Sequence, residues 1–177
     1  MRIEVNGVRL FVDVDGPEWV VDGDRMRRRP VLVMLHGGPG LDHAGFKHDL
    51  PTLPDLAQVV YIDHRGNGRS DRADADTWTL DQWADDVRAV CDHLGLDSPI
   101  VMGQSFGGFV AQAYAARHPD HPAGLILSST AGRFRMERNL AVFERLGGAQ
   151  ARASAEAFYL DPTLDTAMPF FADCMPL

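Results

Sequence analysis

The sequence predicts an α/β fold: a mostly parallel sheet with helices on both faces, opened by an antiparallel hairpin. Three observations carry this expectation. Short continuous apolar runs recur at VLVML (31–35), VVYI (59–62), IVM (100–102) and LILS (125–128), the pattern of strands buried on both faces. Segments of helical period separate the later runs. Glycine-rich stretches follow directly on several of the runs, at the carboxyl ends where the sites of parallel sheets lie.

The first segment, IEVNGVRLFVDV, alternates apolar and polar residues on both sides of Asn6-Gly7, the two-residue turn of a β-hairpin. A polar, basic stretch ending in RMRRRP leads into the first buried run, which stops at HGGPG (36–40). The second run is followed by DHRGNGRSD. In TLDQWADDVRAVCDHLG, the residues Leu80, Trp83, Ala84, Val87, Val90, Cys91 and Leu94 keep helical spacing; Thr79 and Gln82 read as a capping box, and Gly95 is placed to end the helix. The third run enters Gly103 and is followed by a helix over 106–117, closed by His118-Pro119.

Composition narrows the class. With 177 residues, 45% of them hydrophobic, the chain can bury a real core, and one domain is the natural count. A net charge of −8 argues against nucleic acid or an anionic membrane as partner and favours neutral or cationic small molecules or short peptides. The only cysteines are Cys91 and Cys174, without CxxC or Cys/His zinc spacing, so neither a disulfide framework nor a metal is indicated. A reducing cytoplasm is expected. The amino terminus lacks a signal-peptide pattern, and no apolar run approaches the roughly 18 residues of a membrane span.

The stretch GQSFGG places Ser105 between Gly103 and Gly107, with a buried strand before it and a helix after it. This is the context of a nucleophile elbow, in which a sharp turn presents a serine hydroxyl and glycines let the turn close. A serine needs a base and oxyanion donors to act as a nucleophile. In HGGPG the glycines let the backbone approach a substrate carbonyl, so the amide of Gly38 can act with that of Phe106 as an oxyanion hole, while Pro39 stiffens the loop.

Other polar residues read as scaffold. Asp63, Arg65 and Ser70 are expected to brace the loop after the second run, and His36 to be hydrogen-bonded framework. His118 and His121 lie beyond the helix that starts near Ser105, about 20 Å away at about 1.5 Å per residue, and cannot be its base. His43, His48 and His64 sit on site-side loops with other work to do. Gly66-x-Gly68 meets Asp71 where a dinucleotide fingerprint needs a third glycine, and no P-loop is present, so no cofactor is called for.

Taken together, HGGPG (36–40), DHRGNGRS (63–70) and GQSFGG (103–108) resemble the proline iminopeptidases and related hydrolases of the α/β-hydrolase superfamily, over about residues 3–135. The resemblance implies Ser105 as nucleophile with Gly38 and Phe106 as oxyanion-hole amides. Serine at 105 speaks against the epoxide hydrolases and haloalkane dehalogenases, which carry aspartate there. Many proline iminopeptidases have Trp where this chain has Phe106, a difference that bears on substrate.

In that superfamily the acid and the histidine follow the nucleophile on later strands. The resemblance therefore implies that residues 1–132 are the amino-terminal part of the core and 133–177 the start of a helical cap. Asp161, Asp165 and Asp173 have no following strand to place them. The catalytic acid and histidine are then expected from a missing carboxyl-terminal part or a second chain. The alternatives are an esterase or lactonase of the same fold, and a catalytically silent fragment serving as a binding or assembly module. In either case LILS is expected to be an exposed sheet edge.

Overall fold

Alternation along the buried strands decides what each face of the sheet receives. In a computed structural model, which describes residues 1–177, Val33 and Leu35 point to one face, and Leu32 and Met34 to the other. The strands are β1 (Arg2–Val5), β2 (Val8–Asp15), β3 (Trp19–Asp22), β4 (Arg25–Arg28), β5 (Val31–Leu35), β6 (Gln58–Ile62), β7 (Ile100–Gln104) and β8 (Gly124–Ser128). The helices are α1 (Ala44–Asp49), α2 (Leu53–Leu56), α3 (Leu80–Leu94), α4 (Phe106–Arg117), α5 (Met136–Leu160) and α6 (Leu164–Cys174).

The main sheet runs in the order β1-β2-β6-β5-β7-β8. Strands β6, β5, β7 and β8 are parallel, whereas β2 is antiparallel to β1 and to β6. The expected α/β class with its opening hairpin is present, and Asn6 and Gly7 both take positive φ (47° and 76°), as a tight two-residue turn requires. On one face Leu10, Val12, Val33, Leu35, Val60, Ile62 and Val101 pack with Trp83, Val87 and Val90 of α3 and with Val110 and Tyr114 of α4. On the other, Leu32, Met34, Val59 and Tyr61 pack with Phe46 of α1. The edge strand β8 leaves Ile126 and Leu127 nearly half exposed.

Three departures from the sequence reading have local causes. The basic stretch before β5 contains a separate hairpin, β3–β4, turning at Gly23-Asp24; every residue of β4 is exposed, so burial left no periodicity to read there. Helices α1 and α2 are too short to show an apolar stripe. The capping box at α3 is half formed: the Thr79 hydroxyl accepts from the Gln82 amide at 3.1 Å, but the Gln82 side chain turns to Asp86 (3.0 Å) instead of back to Thr79. Asp86 is buried and accepts from Asn6, Arg65 and Gln82, as a buried carboxylate must be satisfied within the protein. Gly95 ends the helix in the left-handed region at φ 64°, as expected.

The chain forms two compact units, Met1–Gly132 and Arg133–Leu177. The second is helical. Its core is Leu140, Ala151, Ala155, Phe170 and Cys174; α5 is interrupted at Gly148 (φ 74°, ψ −169°), and Thr163 and Thr166 form a reciprocal capping box for α6. No helix is long and apolar enough to cross a membrane.

Candidate active site

Strand β7 turns into α4 at Ser105, whose backbone takes φ 50° and ψ −114°, a conformation that L-residues rarely adopt and that costs of order 1–3 kcal/mol. The residue is exposed and its side chain does not cap the helix that it precedes. The flanking glycines are there for space. A Cβ at Gly103 would collide with the Gly107 carbonyl, and one at Gly107 with the carbonyl oxygens of Leu35 and His36. The start of α4 thus sits directly against the end of β5, which brings the loop after β5 to the elbow.

That loop passes over Ser105: a Cβ on Gly37 would lie 3.4 Å from the Ser105 Cβ. Gly38 follows with φ 120°, a region open to glycine. The three residues singled out from the sequence, Ser105, Gly38 and Phe106, therefore lie on two adjoining turns. The Phe106 ring is held edge-on between Trp83 (centroids 4.9 Å apart) and His64 (5.7 Å).

The loop after β6 braces this arrangement. Buried Asp63 accepts from the His43 amide (3.1 Å), His43 Nδ1 (2.6 Å) and the Arg69 amide (2.9 Å). Burial alone would raise its pKa; these donors outweigh it and hold the carboxyl below the usual range. The Ser70 hydroxyl donates to the Asp63 carbonyl (2.6 Å) and accepts from the Phe11 amide (2.9 Å). Arg65 donates twice to buried Asp86 and once to the Asn6 carbonyl. Asn67, not singled out from the sequence, joins the two loops: its carbonyl oxygen accepts from the Gly40 amide and its Nδ2 donates to the Arg65 carbonyl. Its place between Gly66 and Gly68 is the only signal it gave.

Five of the seven histidine rings have partners away from Ser105, His93 is exposed in the last turn of α3, and His64 is buried with no partner at Nε2. His36 is buried, with both ring nitrogens hydrogen-bonded to backbone. His43 lies between Phe11 and Tyr61, with Nδ1 on Asp63 and Nε2 3.8 Å from Asp13. His48 is exposed beside Asp49. His118 contacts Asp85; His121 contacts Tyr114 and the Leu96 carbonyl. His64 is fully buried with Nε2 unpartnered, and burial followed by the neighbouring His36 drives its pKa well below the usual range. No hydrogen bond joins a histidine to Ser105. No group of three or more His, Cys, Asp or Glu residues is arranged to hold a metal ion. Cys91 and Cys174 are free and buried, and burial pushes the Cys91 thiol up to about 12.

A mostly parallel sheet with a tight strand-to-helix corner at Ser105 is the architecture of one fold family, and the comparisons agree: the chain belongs to the α/β-hydrolase fold family, whose model matches residues 30–161. It is 35% identical over 133 residues to the proline iminopeptidase PfmaB of Pestalotiopsis fici, covering 73% of this chain and 43% of the relative. It is likewise 35% identical over 133 residues to a monoacylglycerol lipase of Mycolicibacterium smegmatis, covering 72% and 44%. Its structure resembles that of a proline iminopeptidase of Mycobacterium smegmatis, with a TM-score of 0.74 and 25% identity over 99% of this chain and 58% of the other. The chain thus spans less than half the length of the first two relatives and 58% of the third.

Proposed function

We propose that this chain carries the nucleophile and oxyanion hole of a serine aminopeptidase of the proline iminopeptidase type. The observation that carries the reading is the backbone of Ser105, strained at φ 50° and ψ −114° with Gly37 packed against it. Strain is kept at a turn only where the surroundings over-determine it, and such positions cluster at functional sites. In this reading Ser105 Oγ attacks the carbonyl carbon of the substrate and gives its proton to a base. The amides of Gly38 and Phe106 donate to the oxyanion that forms. Collapse of the tetrahedral intermediate expels the amine, whose nitrogen takes the proton from the base, and leaves an acyl-enzyme, which water then hydrolyses as the base takes a proton from the water and returns it to Ser105 Oγ. Because no histidine of the chain is hydrogen-bonded to Ser105, the base and its orienting acid in this reading come from polypeptide outside residues 1–177, either a continuation or a second chain. The chain's net charge of −8 suits a substrate with a free, cationic amino terminus.

The test has two parts. A fluorophosphonate probe labels the complete enzyme at Ser105 and does not label its Ser105→Ala variant; labelling that survives the substitution overturns the assignment. The 177-residue chain alone turns over proline p-nitroanilide near background, since a triad stripped of its base retains only about 10³–10⁴-fold acceleration over water. Robust turnover that disappears in His36→Ala, His43→Ala or His64→Ala would put the base within the chain. Similarity to the monoacylglycerol lipase favours an esterase as the second reading. Acetylating the substrate's amino group separates the two: kcat/KM collapses for an aminopeptidase that binds the ammonium and is unchanged for an enzyme that does not.

A further inference from the structure

The peptide between Gly37 and Gly38 has no side chain on either side to hold it, and a flip of that plane would exchange the directions of its N–H and its carbonyl oxygen. We propose that His36 is a positioning residue that prevents this flip: its ring, hydrogen-bonded at both nitrogens, holds the Gly37 carbonyl and through the shared peptide plane aims the Gly38 amide. The inference rests on the reading of Gly38 as an oxyanion donor.

The His64 amide donates to His36 Nε2 at 3.1 Å, which requires that nitrogen to be unprotonated. The ring proton is therefore on Nδ1, which donates to the Gly37 carbonyl at 2.6 Å. The network thus assigns the tautomer. Only Gly38–Pro39 is cis in this chain, so the Gly37–Gly38 peptide is trans and its C=O and N–H point in opposite directions. With the carbonyl held on His36, the Gly38 N–H has one direction left to it. The far end of the ring is anchored as well: the His64 backbone is tied down by the Asn67 amide donating to its carbonyl (2.9 Å), and the His64 ring packs 4.4 Å from that of His36. His36 is 2% exposed, so water does not compete for either bond. A donor fixed before the reaction stabilises the oxyanion without reorganising during it. Burial lowers the pKa of the imidazole, the direction that the arrangement requires.

Two substitutions divide the ring's two bonds. The side-chain amide of His36→Asn can reach where Nδ1 stands and keep the Gly37 bond. That of His36→Gln reaches where Nε2 stands and keeps the His64 bond instead. In the 177-residue chain, the one-bond 15N–1H residual dipolar coupling of Gly38 is expected to match wild type in His36→Asn and to change in His36→Gln. In the complete enzyme, where the base is present, the rate at which excess fluorophosphonate modifies Ser105 is expected within about threefold of wild type for Asn and about 10²-fold lower for Gln, the loss typical of one oxyanion donor. If His36→Gln leaves coupling and rate at wild-type values while the Gly38 amide resonance shifts on phosphonylation, the inference falls alone. If that resonance does not shift in the wild-type adduct, the oxyanion-hole reading falls and takes the inference with it. Should either variant fail to fold, the 15N imidazole spectrum of the wild-type chain decides: His36 as the Nδ1–H tautomer supports the inference, and as the Nε2–H tautomer overturns it.

Discussion

Arg65 meets Asp86 through two hydrogen bonds of 2.8 Å, with both side chains 3% exposed. The pair joins the loop after β6 to α3. The carboxylate also accepts from Asn6 and Gln82, so the opening hairpin is tied to the same point. Removing one member leaves a buried charge without its partner. Asp86→Ala is expected to cost about 3–5 kcal/mol of unfolding free energy, measured by urea denaturation, and Arg65→Met/Asp86→Leu less than the sum of its two single changes. Strict additivity would mean that the two groups do not act as a pair.

Ser105 holds a positive φ that glycine accepts without strain. Ser105→Gly therefore relieves about 1–3 kcal/mol of backbone strain, against about 0.5–1 kcal/mol of added chain entropy lost on folding. A net gain of about 1 kcal/mol is expected in equilibrium denaturation, whereas Ser105→Ala keeps the strain and does not show it. Equal stability of the two variants would mean that the elbow is unstrained in solution.

The buried histidines make stability depend on pH. Burial holds His36 and His64 below the usual imidazole range, His64 by the larger margin. As pH falls below about 6.5, the unfolded chain binds protons that the folded chain refuses, so stability is full above that value and declines below it. Each such group contributes about 1.4 kcal/mol per pH unit until its folded pKa is reached. His121, held down in the same way, adds to the slope, so the decisive measurement is a difference. Between pH 7.5 and 5.5, His64→Gln is expected to show a shallower loss of unfolding free energy than wild type. An identical slope would mean that His64 takes up its proton in the folded state.

By itself the sequence determined the buried strands, α3, α4 and the elbow, because each is a local solution to a local constraint. Val33 and Leu35 alternating with Leu32 and Met34 leave no face polar, and so demand a covered strand. Gly103 and Gly107 sit where any Cβ would meet backbone, so their spacing around Ser105 already described the turn. Tertiary structure decided which of several competing partners each polar group takes. Gln82 could cap its own helix but turns to Asp86, because a buried carboxylate gains more from a donor than an exposed helix end does. Asn67 reaches Gly40, and the His64 amide reaches His36, across about 27 residues of chain, a pairing that no local pattern encodes. The proton of His36 belongs to Nδ1 only because the fold brings an N–H to Nε2. Identity and spacing put the glycines and the serine at the turn; the direction of the amide beside them follows from contacts that exist only once β5, β6 and β7 lie side by side.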